Sequence, residues 1–285
     1  MNAIDRSIAA VTGQGARVVF PEWDEPRTAA ARAELLARAI CTPVPVAGPS
    51  EAQLAALTGP RGIKEPVARR MLTRPLYRAA AMVAAGEADA MVAGAETPTR
   101  RVIEAAALAI GLADGVAQPS SCFLMLFPDG RELIFADCGV IVAPDAAGLT
   151  AIARASAATA AALLGEARVA LLSYSTGTSG AGESVDLVAG VAAATGFAGP
   201  LQGDAALNPA IAAKKGLGQG DANVLVFPDL NSGNIAYKLC QELAGAQAIG
   251  PLLQGFARPV CDLSRGASAP DIVAATAVTL AMGGR

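Results

Sequence analysis

The 285-residue chain contains no histidine. That absence removes Ser-His-Asp and Cys-His nucleophilic catalysis and any histidine-ligated zinc site. Proton transfer then falls to Asp, Glu, Lys, Tyr, Cys or a group on the substrate. Charge is also scarce: Asp, Glu, Lys and Arg make up 16% of the residues against 53% apolar ones, and the formal net charge is −3. This balance argues against nucleic acid as a partner, which requires concentrated Lys and Arg to neutralise phosphates. A small anion needs only a local basic pocket and stays open as a ligand. Sparse surface charge also leaves room for a self-association interface. No apolar run reaches bilayer-spanning length. The longest uncharged stretch, Leu187 to Gly203, is mostly Ala, Gly and Val and is interrupted by Pro200 and Gln202, so no membrane partner is expected. Met1 to Val11 carries Asp5 and Arg6 and lacks the apolar segment of a secretory signal. The five cysteines, at 41, 122, 138, 240 and 261, form no CxxC pair. Their odd number reads as reduced thiols in the cytoplasm.

What is present is an alternation of short apolar runs with Ala-rich helical stretches. The spacing predicts strands at Arg17–Phe20, Thr42–Val46, Ala90–Ala93, Cys122–Phe127, Leu133–Ala136, Arg168–Ser173 and Val224–Phe227. It predicts helices at Pro26–Ala39, Pro66–Ala85, Arg100–Leu112, Ala147–Leu164, Ser184–Ala194, Ser232–Ala244 and Pro270–Met282. Such alternation indicates parallel βαβ units, with helices on both faces of continuously apolar strands. Cys122 and Cys138 fall in apolar strands and read as core. Gly115–Ser121 is a candidate crossing into a second domain, and Gly250-Pro251 a candidate return.

Four segments could carry chemistry. Ser173-Tyr-Ser-Thr-Gly-Thr-Ser-Gly-Ala-Gly182 follows a strand and precedes a helix. Small residues there let backbone N–H groups of Ser175, Thr176 and Gly177 approach an anion. The run fits neither a Walker A loop nor GxGxxG, and a plain βα loop is the alternative. Asp229-Leu-Asn-Ser-Gly-Asn234 is again strand to helix. Asn231 or Ser232 is either a helix cap or, with Asn234, part of a site at the carboxyl edge of the strands. In Asp262-Leu-Ser-Arg-Gly-Ala-Ser-Ala-Pro-Asp271, Ser264 and Arg265 suit an anion and Asp271 a base. Ser268 to Asp271 equally has the spacing of a capping box, with Pro270 suited to a first turn. Finally, Arg100 and Arg101 follow a loop after the Ala90–Ala93 strand, which favours them as ligands over the helix-face cluster Arg61, Lys64, Arg69, Arg70, Arg74 and Arg78.

Taken together, these segments resemble the phosphate acetyltransferase and butyryltransferase family. The resemblance rests on Ala88-Asp-Ala-Met-Val-Ala-Gly-Ala95, Phe135-Ala-Asp-Cys138, Leu172-Ser-Tyr-Ser-Thr-Gly177, Gln202-Gly-Asp204, Ala222-Asn-Val-Leu-Val-Phe-Pro-Asp-Leu-Asn-Ser-Gly-Asn-Ile-Ala-Tyr-Lys238, Gly250-Pro-Leu-Leu-Gln-Gly255 and Asp262-Leu-Ser-Arg-Gly266. Order and spacing agree from about residue 62 onward.

The resemblance implies two α/β domains with mainly parallel sheets, similar to isocitrate and isopropylmalate dehydrogenases. It places the active site in the interdomain cleft and favours a homodimer. It also suggests a discontinuous first domain, residues 1–116 plus 252–285, and an inserted one, residues 117–251. It implies reversible transfer of a short acyl group, acetyl first, between acyl phosphate and coenzyme A. Coenzyme A is then a substrate, and no cofactor is permanently bound and no metal is needed. Asp271 takes the thiol proton, and Ser264 and Arg265 stabilise the transition state and leaving phosphate. Two departures stand out. The portion up to about residue 60 is shorter than the family pattern. The family arginine on the helix after Gly94-Ala95 aligns with Glu104, and Arg101, one turn earlier, is its candidate substitute. The rivals are a propionyl- or butyryltransferase, a non-catalytic acyl-CoA-sensing module of the same fold, and a metal-dependent dehydrogenase. The last would need a carboxylate cluster that the sequence does not offer.

Overall fold

A computed structural model describes residues 1–283. The chain divides into two compact units. One comprises Met1, Ala3–Pro119 and the segment from Gly250 onward, and the other Asn2 with Ser120–Ile249. The first unit begins with α1 (Ala3–Val11), β1 (Arg17–Val19), α2 (Pro26–Ala37), β2 (Thr42–Val44), α3 (Glu51–Thr58), α4 (Glu65–Leu72), α5 (Pro75–Ala84), β3 (Ala90–Ala93) and α6 (Thr99–Ala109). The second contains β4 (Ser120–Leu126), β5 (Glu132–Ala136), α7 (Ala146–Leu164), β6 (Val169–Leu172), α8 (Glu183–Thr195), β7 (Ala198–Leu201), α9 (Gly203–Leu207), α10 (Pro209–Lys215), β8 (Val224–Val226) and α11 (Leu230–Ala244). Strand β9 (Gln247–Gln254) leads back, and β10 (Val260–Asp262) and α12 (Ala269–Met282) complete the first unit.

In the first unit the strands lie in the order β2-β1-β3-β10-β9. The first four are mutually parallel, and β9 runs antiparallel to β10. The loops after β1, β3 and β10 therefore emerge side by side at one carboxyl edge, where parallel sheets place their sites. In the second unit the order is β4-β5-β8-β6-β7, with β4 and β5 an antiparallel hairpin and the rest parallel. Strands β3, β4 and β8 are buried at every position, as expected of strands covered on both faces. Phe123 stacks on Tyr237 at 4.1 Å in the second unit's core.

Several expectations need correction. The single helix expected over Pro66–Ala85 is two, α4 and α5. Pro75 has no N–H to continue the ladder, and it holds Arg74 extended at φ −99°, ψ 123°. The sheets are mainly parallel, as the resemblance implied, and the strand spacing did not show the two antiparallel pairs, β9 with β10 and β4 with β5. Nor did the spacing show α1, α3, β7, α9, α10, β9 and β10, most of them too short to show a period. Cys138 lies just past β5 rather than within it, and is buried. Helix α7 is by length and composition apolar enough to cross a membrane, contrary to the expectation that no run would be. Its Arg154 interrupts the run, and one face, including Leu149, Ile152, Ala160 and Leu163, is buried in the second unit. Its high hydropathy comes from many alanines on a core helix.

Candidate functional site

Three loops at the carboxyl edge of the first unit's sheet carry most of the candidate chemistry there. After β3, Gly94 takes φ +108°, and a Cβ at that position would fall 2.4 Å from Asp262 Oδ1 and 2.6 Å from the Leu263 amide nitrogen. Only glycine lets this loop lie against the end of β10. The loop is then clamped: Glu22, from the β1–α2 turn, accepts the backbone N–H groups of Gly94, Ala95, Glu96 and Thr97 at 2.7–3.0 Å. It leads into α6, which carries Arg100 and Arg101, both exposed. Arg101 pairs with Glu104 Oε2 at 2.9 Å, and the Tyr77 hydroxyl donates to Glu104 Oε1 at 2.8 Å. The Tyr77 hydroxyl first, then Arg101, lower the Glu104 pKa below the ordinary glutamate range.

The loop after β10 starts at Asp262, which is fully buried. Its Oδ2 accepts the Thr99 hydroxyl at 2.5 Å, while Oδ1 has no hydrogen-bond partner. Burial, helped by the nearby negative charge of Glu22, pushes this carboxyl up to about 7. Ser264 and Arg265 follow with exposed side chains, the Ser264 hydroxyl accepting the Gly266 N–H at 3.3 Å. Asp271 stands at the third position of α12, in the capping box that the spacing suggested: its Oδ2 accepts the Ser268 N–H at 3.0 Å and the Ser268 hydroxyl at 2.6 Å. The structure thus brings Ser264, Arg265 and Asp271 onto one loop and helix start, with Asp271 half-buried.

In the second unit, the Ser173–Gly182 run is closed by its own bonds. The Ser175 hydroxyl accepts the Gly180 N–H and donates to the Gly177 carbonyl, and Ser179 Oγ accepts the Thr176 N–H. The Ser175 N–H goes to Ser173 Oγ, and the Gly177 N–H to the Pro200 carbonyl. The Thr176 hydroxyl bonds with Gln202. The open N–H cradle expected over 175–177 is therefore internally occupied. In the next segment the cap is Asp229, not Asn231 or Ser232: its carboxylate accepts both the N–H and the hydroxyl of Ser232. Asn231 is exposed in the first turn. Gly233 lets α11 rest on the segment after β5, since a Cβ there would lie 2.3 Å from the Asp137 carbonyl oxygen. Asn234 Nδ2 ties the same segment through the Cys138 carbonyl at 3.0 Å.

Sequence reasoning missed Glu22, Arg27, Asp262 and Asp137. A charged turn, Glu22-Trp-Asp-Glu-Pro-Arg27, directly after an apolar strand was the available signal for the first two. Among the described residues no group of three or more Cys, Asp or Glu side chains could hold a metal ion. A cavity of about 390 Å³ in the second unit, lined by Arg168, Phe197, Gly218 and Asp221 among others, sits by the amino ends of β6 and β7 and holds none of the candidate residues.

The family model for phosphate acetyl/butaryl transferase matches residues 50–280. The chain belongs to that family. A phosphate acetyltransferase of Paracoccus denitrificans is 39% identical over 98% of both chains. One of Treponema pallidum is 47% identical over 77% of this chain and 71% of its own. Among solved structures, the EutD phosphotransacetylase of Staphylococcus aureus superposes with a TM-score of 0.91 at 31% identity, covering 99% of this chain and 98% of its own. The exposed Ser264 and Arg265 and the half-buried Asp271 thus lie on the single segment from Asp262 to Asp271.

Proposed function

We propose that the chain transfers a short acyl group, acetyl in the first instance, reversibly between acyl phosphate and coenzyme A, and that Ser264, Arg265 and Asp271 carry the reaction. The observation that carries this reading is the single Asp262–Asp271 segment that presents a hydroxyl, a guanidinium and a carboxylate in a member of this family. Asp271 takes the coenzyme A thiol proton, because a thiol of pKa ~8.5 supplies little thiolate near neutrality. The sulfur electron pair forms the new S–C bond at the acyl carbon, and the carbonyl oxygen becomes the oxyanion. Collapse of the tetrahedral species breaks the C–O bond to phosphate, which leaves with the electron pair. Ser264 and Arg265 supply donors where that charge develops. Arg100 and Arg101 are read as phosphate ligands, Arg101 standing in for the family arginine aligned with Glu104. Ser175, Thr176, Gly177, Asn231, Ser232 and Asn234 are read as the second unit's substrate- and phosphate-binding residues.

Coenzyme A is a substrate in this reading, and no resident cofactor or metal is required. The two units are read as the discontinuous and inserted domains. Ile235, Leu239 and Leu243, exposed at four-residue spacing on α11, support a homodimer. Five free cysteines suit a cytoplasmic location. The presence of all three reacting groups favours catalysis over acyl-CoA sensing.

The test is coenzyme-A-dependent phosphate release from acetyl, propionyl and butyryl phosphate in excess EDTA. Release should be fastest with acetyl phosphate and undiminished by the chelator. No release from any of the three would favour the sensing module, and a butyryl preference would reassign the acyl chain. Loss on chelation, restored by a divalent metal, would defeat the mechanism.

A further inference from the structure

The exposed Ser264-Arg265 loop is gripped from its backbone side by one residue that the proposed chemistry does not use. Arg27, in the first turn of α2, donates from Nη1 to the carbonyl oxygens of Arg265 at 2.7 Å and Ala267 at 3.0 Å. Its Nη2 donates to the Ala95 carbonyl at 3.0 Å, on the loop that leads to Arg100 and Arg101. Its Nε donates to Glu25 Oε1 at 2.6 Å, and Glu25 Oε2 caps α2 through the Thr28 N–H at 2.7 Å. The guanidinium is thus oriented by the cap of its own helix before it reaches three carbonyls. A planar fork of donors can do this, and an ammonium cannot in the same geometry. The two carbonyls on the 262–268 loop flank Gly266, so the grip fixes the chain between Arg265 and the capping box that contains Asp271.

We propose that Arg27, oriented by Glu25, is a positioning residue: it sets the Ser264-Arg265 loop, and with it the Ala95 loop, in the geometry that acyl transfer requires. This rests on the reading of Ser264, Arg265 and Asp271 given above. Arg27 acts through the backbone carbonyls of Arg265, Ala267 and Ala95. Misplacing a reacting constellation by about 1 Å can cost on the order of a hundredfold in rate. Because Ser264 and Arg265 act in the transition state, and the Ala95 loop is held independently by Glu22, the loss belongs mainly in kcat rather than in KM.

The experiment measures kcat, KM for both substrates and Tm for Arg27→Lys, made in the native enzyme and in Arg265→Ala, with amide hydrogen exchange over residues 262–268. Arg27→Lys should lower kcat about ten- to hundredfold, leave both KM values within about twofold, and speed exchange in that segment. In Arg265→Ala the same substitution should cost far less, since the main group it positions is gone. Equal losses in both backgrounds, or a loss confined to KM, overturns the proposal. Normal turnover in Arg265→Ala removes the underlying site reading and this inference with it. Normal turnover in Arg27→Lys beside a crippled Arg265→Ala overturns the inference alone. Should Arg27→Lys unfold, Glu25→Gln loosens the guanidinium without removing it: a smaller fall in kcat with the same KM pattern supports the proposal, and an unchanged kcat overturns it.

Discussion

Each unit keeps a buried aspartate at the carboxyl end of a sheet strand, and the two are treated in opposite ways. Asp137, just past β5, accepts the Ser121 hydroxyl and the N–H groups of Gly139, Val140 and Ile141. Asp262, at the end of β10, accepts one hydroxyl, and its second oxygen has no partner. The same difference runs through the surrounding loops. In the second unit Ser175 and Asp229 are committed to bonds within their own loops, and Thr176 and Asn234 to bonds that tie neighbouring segments of the same unit. In the first, Glu22 and Arg27 bind backbone and leave the Ser264 and Arg265 side chains exposed. Satisfied polar groups rigidify, whereas groups left open at a held backbone are available for chemistry. The first unit thus leaves polar side chains open on a held backbone, whereas the second closes its polar groups on one another.

The largest effect that can break this contrast compares two aspartates at helix starts. Asp271→Asn keeps the shape and much of the cap of α12 but cannot accept the thiol proton. Turnover should fall by about two to four orders of magnitude with little change in Tm. Asp229→Asn, at the cap of α11, should keep its turnover. A stable Asp271→Asn enzyme with near-normal turnover would sink Asp271 as the base, and equal losses at both positions would erase the distinction between the units.

Asp137→Ala comes next. It strands the buried Ser121 hydroxyl and three part-buried backbone N–H groups, and a fully buried unsatisfied group costs about 1–3 kcal/mol, a part-buried one less because water reaches it. A net loss of roughly 3 kcal/mol should appear as a lower urea midpoint with an unchanged slope. An unshifted midpoint would show that the scaffold does not depend on this aspartate. A smaller, kinetic effect belongs to Arg101→Ala: KM for acetyl phosphate should rise about tenfold, and more than KM for coenzyme A. A change confined to coenzyme A would remove Arg101 from the phosphate site.

Much of this was legible in the sequence. Strand β3 was read to the residue and α11 and α12 to within two, because apolar runs bounded by turn residues mark buried strands and Ala-rich stretches mark helices. The Ser268–Asp271 capping box was visible from its spacing. The three-residue β10 was not, because Val-Cys-Asp has no period and its pairing with β3 is long-range. Nor was the closure of the Ser173–Gly182 loop, since small polar residues have one composition whether their donors face a ligand or one another. Glu22 and Arg27 went unread because their partners are backbone groups about 70 and 240 residues away. Side-chain-to-backbone ties of that span leave no local pattern.

The smallest expected effect sharpens the contrast between the two buried aspartates. The folded-state carboxyl of Asp262 is raised to about 7, chiefly by burial, whereas an unfolded aspartate titrates near ~3.9. Between those values the folded protein binds this proton more tightly than the unfolded chain does. The contribution to stability is therefore complete below about pH 4 and is lost as pH rises through about 7. Asparagine cannot ionise, yet it keeps an oxygen for the Thr99 hydroxyl. The Tm of Asp262→Asn minus that of the native protein should thus be small or negative near about pH 5, and should climb by a few degrees toward about pH 8. Distant titrating groups act in both proteins and largely cancel in the difference. A difference that stays flat across this range would show that Asp262 keeps one protonation state in the folded protein. The two aspartates would then differ in hydrogen-bond count alone, and the open oxygen of Asp262 would have no electrostatic consequence.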